Sequence, residues 1–408
     1  MKSNDKIIIR ELAKQYMQLA TSEKQKKMFA RMQETNDLKI VRPPVLIDEI
    51  QWGQMNIDGE LTCLCEDPRA RRAESRLRQA LYRAKYLKAD TMFEPFFRVR
   101  MRLESTGSGL PQLDRSGDVR GKNSGIASHQ FEDLLEDESI LETLHMPKFK
   151  LRPDIDEENM NYYTDLFGDA MPVRLLGHNY FTHSVWDDIA HLRGIEAIMM
   201  DMYDRPEYLH ALVRHWVAVF KAEMDFVEKN MPIDRTVTDM HCTPACISGL
   251  ADNGFKATWF RASAQALSTV SPAMFDEFEI QYVIPLAERF AYTYYGCCEP
   301  LNDRMHIVKQ IPNLRKVGVS PWANVESCAE QIGKDYVLAR KPNPAYVALR
   351  TDPETVRKET EETVKVALKY GCPTEFVLKD ISTVSNRPEN LIIWANTVSD
   401  VLDQYYEE

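Results

Sequence analysis

Short apolar runs alternate with amphipathic stretches along most of this chain. Residues 6–38 place Ile9, Leu12, Tyr16, Leu19, Met28, Phe29 and Met32 at helical spacing among Lys, Glu and Gln, which predicts two helices on the surface. The run Val41 to Ile50 follows, led by Pro43 and Pro44 and ending in Asp48 and Glu49, as expected of a buried parallel strand. Similar runs recur at 91–100, 172–178, 236–242, 291–298, 314–320, 335–340 and 374–381, making eight. Amphipathic stretches at 194–229, 272–290, 301–310, 323–333 and 353–370 separate the later ones, so strands alternate with helices and the sheet should be parallel. Eight such units predict a closed (β/α)8 TIM barrel with an N-terminal helical extension. The rival, an open doubly wound sheet, lacks its glycine-rich phosphate pattern after the first strand. The domain reading is a helical cap at 1–40 and a barrel at 41–408. Polar and acidic composition interrupts the rhythm at 102–170, which reads as an excursion from the barrel with a solvated acidic face.

Composition narrows the classes of function. A chain of 408 residues with 44% hydrophobic content, 6 Trp, 17 Tyr and 16 Phe can bury a large core. Its formal charge of -11 argues against a nucleic-acid partner, which requires a basic face. The opening MKSNDKIIIRELAKQ has an apolar run too short for a secretory core, and no stretch approaches the roughly 20 apolar residues of a membrane span, so a cytoplasmic location without membrane contact is expected. The 8 cysteines are scattered, without the dense framework of a small secreted domain, and are expected to be reduced.

Barrel enzymes build their sites at the carboxyl ends of the strands, so the polar residues that close each apolar run are the candidates. Tyr294-Tyr295-Gly296-Cys297-Cys298-Glu299-Pro300 stands out, because two thiols and a carboxylate offer soft and hard ligands to one metal ion. Adjacent side chains in a strand face opposite ways, so a regular strand would turn only one of Cys297 and Cys298 toward the barrel axis. Asp239 and His241 share a face by the same rule, and His241 is expected on the strand next to Cys297; Cys242 and Cys246 are weaker candidates. Zn2+ held by imidazole, thiolate and carboxylate with one open position would be of the catalytic type, although no CxxC or HExxH spacing is present. Lys341, Lys379 and Asp380 end the last two strands, where they would bind a substrate anion or pair with each other. Trp52, Trp186 and Trp322 follow strand ends, where they would wall a planar ligand or pack in the core.

Three segments resemble the uroporphyrinogen decarboxylase superfamily. QKKMFARMQETNDLKIVRPPVLIDEI is similar to that family's entry into its first strand. Gly194 to Glu207 resembles its G-x-E-x-x-x-x-D-x-x-x-x-P-E helix pair, and Ser271 to Phe278, with Tyr282 and Pro285, its helix before the fifth strand. The superfamily contains tetrapyrrole decarboxylases and zinc-dependent methyltransferases that work with corrinoid proteins. The decarboxylases carry an arginine-rich motif for the substrate's carboxylates. This chain reads IDEIQWGQMNIDGEL after its first run, and those acids would repel a polycarboxylate. The methyltransferase branch is the nearer resemblance, with Cys297 at the position of its fifth-strand cysteine. Tyr295 replaces that branch's histidine, Cys298 its glycine, and Lys379-Asp380-Ile381 closes the last strand without its cysteine.

The resemblance therefore implies a corrinoid-dependent methyltransferase component, transferring methyl between a small-molecule donor and a cobalamin-binding protein with the help of Zn2+. His241, Cys297 and Glu299 would hold the metal, with Cys298 in reserve. Asp239 or Asp380 would be the general acid, and Lys379 or Lys341 would orient the substrate. A metal-independent decarboxylase or lyase acting on a small carboxylate, with Asp239 as its acid, is the alternative enzyme. A noncatalytic barrel that binds a small ligand is the alternative outside catalysis. The sequence leaves homo-oligomerisation open.

Overall fold

A computed structural model describes residues 3–110, 133–236 and 239–406, with the backbone of 119–120 and 127–128. Part of the excursion predicted at 102–170 lies outside the described residues. The two leading helices form as expected: α1 spans Ser3–Ala20 and α2 spans Glu23–Asn36, with Ser22 capping α2 by accepting from the Gln25 amide. α2 buries Met28 and Met32 against Cys246, and Asn36 Nδ2 donates to the carbonyls of Pro244 and Cys246. The helix thus clamps the segment that follows His241. α1 packs on α3, Pro68–Tyr86, and on a helix at Pro153–Phe167 inside the excursion. Among the described residues, no helix is long and apolar enough to cross a membrane.

The strands that position the site are β1 (Val45–Ile47), β2 (Phe97–Arg100), β3 (Val173–Leu176), β4 (Phe181–His183), β5 (Trp259–Ala262), β6 (Tyr292–Tyr295), β7 (Leu314–Val319), β8 (Val337–Arg340) and β9 (Thr374–Leu378). Seven form one parallel sheet in the order β1-β9-β8-β7-β6-β5-β4, and β2 pairs in parallel with β3 outside it. Helices connect most of the neighbours, as parallel strands require. Cys298, just past β6, has its Sγ 2.9 Å from Asp380 Oδ2, just past β9, although β7 and β8 lie between them. A flat sheet would hold these strands about 14 Å apart, three spacings of roughly 4.8 Å, so the sheet is strongly curled. The architecture is TIM-barrel-like. Among the described residues its sheet is a half barrel of seven strands rather than the predicted closed ring of eight.

Two strands differ from the sequence reading. Among the described residues of the run at 236–242, Asp239–Met240 alone is a strand, as one arm of an antiparallel hairpin with Thr243–Pro244. The neighbour of β6 is instead β5, whose WFRA carries an arginine in its middle and reads as a poor buried strand. β4 likewise follows the run at 172–178 after a short interruption at Gly177 to Tyr180.

The alternation of each strand separates two environments. Phe260, Ala262, Tyr295, Val317, Val319 and Leu338 join the helices in the largest apolar cluster. Trp259, Tyr294 and Ala339 point the other way and meet Met240 and Ala245 of the hairpin. On this inner side Lys316 and Glu375 form a fully buried ion pair, Nζ to Oε2 2.6 Å, and both also bond Thr243 Oγ1. Burial pushes the Lys316 ammonium down to about 8, against the pull of Glu375. The pair ties β7, β9 and the hairpin together beneath the barrel mouth.

Breaking such a pair leaves one charge buried without compensation, at a cost of about 3–5 kcal/mol, whereas apolar replacement of both partners is often neutral. Glu375→Ala should therefore lower the unfolding free energy by about that amount in a urea titration. The double variant Lys316→Met/Glu375→Leu should recover most of it.

Candidate metal centre

β6 stops at Tyr295 because Gly296 adopts φ +107°, a conformation that side chains other than glycine's rarely take. Gly318 of β7 lies close alongside. A Cβ on Gly296 would sit 3.0 Å from Leu301 Cδ1 and 3.2 Å from the Gly318 amide nitrogen. The turn cancels the strand alternation, so Cys297 and Cys298 both reach the mouth, with their sulfurs 3.8 Å apart. A second unusual backbone position, Cys242 at φ +63°, forms the tip of the hairpin below β5. Its amide donates to Asp48 Oδ2, and its carbonyl accepts from Lys341 Nζ.

These two turns assemble a cluster. One ligand atom each from His241, Cys242 and Cys297 lies within 4.8 Å of the other two. Tyr180 Oη accepts from the His241 amide, and Asp48 Oδ2 lies 3.5 Å from His241 Nδ1, so Asp48 steadies both neighbouring ligands from the end of β1. Burial, reinforced by the Arg261 guanidinium, lowers the affinity of the His241 imidazole for a proton and favours the neutral, ligating form. Hydrogen bonds from Cys242 and Cys298 hold the Cys297 thiol well below the usual range, with help from the charges of Lys379 and Arg261 against its burial. Burial and that donation push the Cys242 thiol up; the bond to Cys297 and then burial do the same for Cys298. Of the three sulfurs, that of Cys297 is the one whose surroundings favour the ionised form.

The other residues singled out from sequence surround this group in different ways. Cys298 Sγ accepts from Lys379 Nζ at 3.2 Å and donates to Asp380 Oδ2. Lys379 and Asp380 pair at 2.5 Å, and the Asp380 amide donates to Glu49 Oε2. Burial opposes the charge on Lys379, but the Cys297, Cys242 and Cys298 sulfurs and Asp380 hold its ammonium above the usual range. Glu299 turns away from the mouth. It accepts from the amides of Cys297 and Ala264, and burial, then the nearby Cys297 charge, pushes it up to about 7. Glu299 thus braces the Cys297 backbone and lies outside the ligand cluster. Asp239 pairs through its backbone with Pro244, and its side chain lies outside the described residues.

Cys242 is the member that sequence reasoning placed low. A strand through 236–242 would send it to the face opposite His241, and only the hairpin turn brings the two side chains together. Its one legible signal was its position beside His241 at the end of an apolar run. A cavity of about 370 Å3 adjoins the cluster, walled by Asp48, Tyr180, His241, Cys242 and the basic residues Arg98 and Arg100. The three tryptophans lie elsewhere. Trp186 is buried in the helical core, Trp52 packs on Tyr82, and Trp322 is 69% exposed.

No known family profile matches this chain, and no curated protein matches it. Among solved structures, a methyltransferase from Methanosarcina mazei overlaps 93% of this chain and 99% of its own at 12% identity, with a TM-score of 0.47. A malate synthase from Haloferax volcanii overlaps 60% of this chain and 57% of its own at 9% identity, with a TM-score of 0.22. Both overlaps are too loose to bear on family or activity.

The turn at Gly296 is the local feature on which the cluster rests. Gly296→Ala would combine a positive φ with backbone crowding, and strain of this kind costs about 1–3 kcal/mol. Urea unfolding should show a loss in that range; a change under about 0.5 kcal/mol, typical of neutral surface substitutions, would mean the turn relaxes freely.

Proposed function

We propose that this chain is the metal-dependent methyltransferase component of a corrinoid system, with Zn2+ held by His241, Cys242 and Cys297. The observation that carries the reading is the convergence of those three donor atoms beside an open cavity. Zinc takes sulfur at about 2.3 Å and imidazole nitrogen at about 2.0–2.1 Å, so donors within 4.8 Å of one another need only small side-chain rotations to bind one ion. One imidazole and two thiolates make a soft set that suits zinc and not magnesium or calcium. Three protein ligands with a fourth position open are the pattern of catalytic zinc. The set uses Cys242 where the sequence suggested Glu299.

Bound zinc would supply Lewis acidity at the donor's heteroatom, and the corrinoid of a partner protein would supply the methyl acceptor. The chain's own residues prepare the site. Asp48 orients His241 and the Cys242 amide; Lys341 fixes the Cys242 carbonyl; Glu299 fixes the Cys297 amide. These contacts hold the ligands in place before metal arrives, and losing such outer partners typically weakens metal binding by about 10–100-fold. As the methyl carbon to heteroatom bond breaks, its electron pair stays on the heteroatom, which then takes a proton. Asp380, half exposed at the mouth and backed by Lys379, is placed to manage that proton. A cavity of about 370 Å3 suits a small methyl donor.

The test is metal content by elemental analysis after purification and after chelation and reloading with Zn2+. The full-length chain should hold close to one zinc per molecule. His241→Ala, Cys242→Ser and Cys297→Ser should each lose most of it, while Cys298→Ser should retain it. Equal zinc in all four variants, or none in the unmodified chain after reloading, would overturn the reading.

A further inference from the structure

Two buried polar atoms beside the candidate metal centre, Arg261 Nε and Tyr294 Oη, have no hydrogen-bond partner. Arg261 and Tyr294 stand opposite each other in register on β5 and β6, and both belong to the inner side of the sheet with Trp259. Arg261 is 3% exposed, and its Nε has no hydrogen-bond partner. Among the described residues it makes no ion pair. Its guanidinium carbon lies 5.8 Å from the centre of the Tyr294 ring. Tyr294 is fully buried, and its hydroxyl is also without a partner. The Lys341 ammonium sits 5.3 Å from the centre of the same ring. A buried guanidinium without a carboxylate in an ion pair is costly.

We infer that Arg261 and Tyr294 form a receptor for a carboxylate-class anion carried by the substrate. The guanidinium fork presents parallel N–H donors that match the two oxygens of a carboxylate, and the phenol adds a third donor at the side. Lys341 supplies further positive field without spending its own hydrogen bond to the Cys242 carbonyl. The assignment rests on the metal reading above only in making this anion part of the methyl donor. The substrate class is then a small methylated molecule with an acidic end, its anion anchored on β5 and β6 and its methyl-bearing heteroatom directed to His241, Cys242 and Cys297.

The test is calorimetric titration of the zinc-free full chain with acetate and formate, using acetamide as the uncharged control. The unmodified protein should bind a carboxylate saturably and acetamide at least about tenfold more weakly, the loss expected when one charge-assisted hydrogen bond is removed. Arg261→Gln should abolish the binding, Arg261→Lys should restore part of it, and Tyr294→Phe should weaken it several-fold. Tyr294→Phe keeps the buried ring, so it decides the matter if Arg261→Gln fails to fold. No saturable binding of either carboxylate, or equal binding in the Tyr294→Phe and Arg261→Gln proteins, overturns the inference. Cys297→Ser should leave carboxylate binding intact. An unmodified chain that takes up no zinc but binds acetate would count against the metal reading alone, and one that takes up zinc but binds neither carboxylate against this one alone.

Discussion

Strands β6 and β9 have two others between them, and the residues that follow them nevertheless touch, Cys298 against Asp380 and Lys379. Curling the parallel sheet is what makes this contact, and the site follows from it. The same curl gathers inward-facing side chains from β5 to β9 into a narrow space, where they must be satisfied without water. Lys316 and Glu375 meet that demand lower down by pairing with each other and with Thr243. Higher up, the polar residues are not fully matched by the protein, and that mismatch is where a metal and a substrate have a place.

The hairpin at 239–244 is the second part of the design. It is held from outside by Asn36 of the cap helix, from below by Lys316 and Glu375 through Thr243, and from the mouth by Asp48 and Lys341. An irregular segment with Cys242 at positive φ needs such support, since strained backbone persists only where its surroundings over-determine it. Rigid placement matters for metal binding because ligands that are already oriented lose less freedom when the ion arrives.

The alternation of apolar runs with amphipathic stretches was enough to read the parallel, barrel-like sheet, and seven of the eight runs contain a strand of the seven-stranded sheet or of the β2–β3 pair at about the expected place. Tertiary context decided the others. Trp259–Ala262 carries Arg261 at an inward position, so hydrophobicity alone hides it, while the run at 236–242 looks apolar enough for a strand but turns back on itself from Asp239 onward. At the site, His241 and Cys297 were legible as strand-end ligands. Cys242 was not, because a period of two assumes a regular strand, and two left-handed turns break that assumption at the points where the chemistry sits. The bracing role of Glu299 was equally hidden: a carboxylate next to two thiols reads as a ligand until its backbone partners at Cys297 and Ala264 are seen.

X-ray absorption at the zinc edge of the reloaded protein tests the central claim most directly. The account predicts two sulfur neighbours at about 2.3 Å and one imidazole nitrogen at about 2.0–2.1 Å, with a light atom in the remaining position. A coordination shell made only of oxygen and nitrogen, or one with a single sulfur, would contradict it.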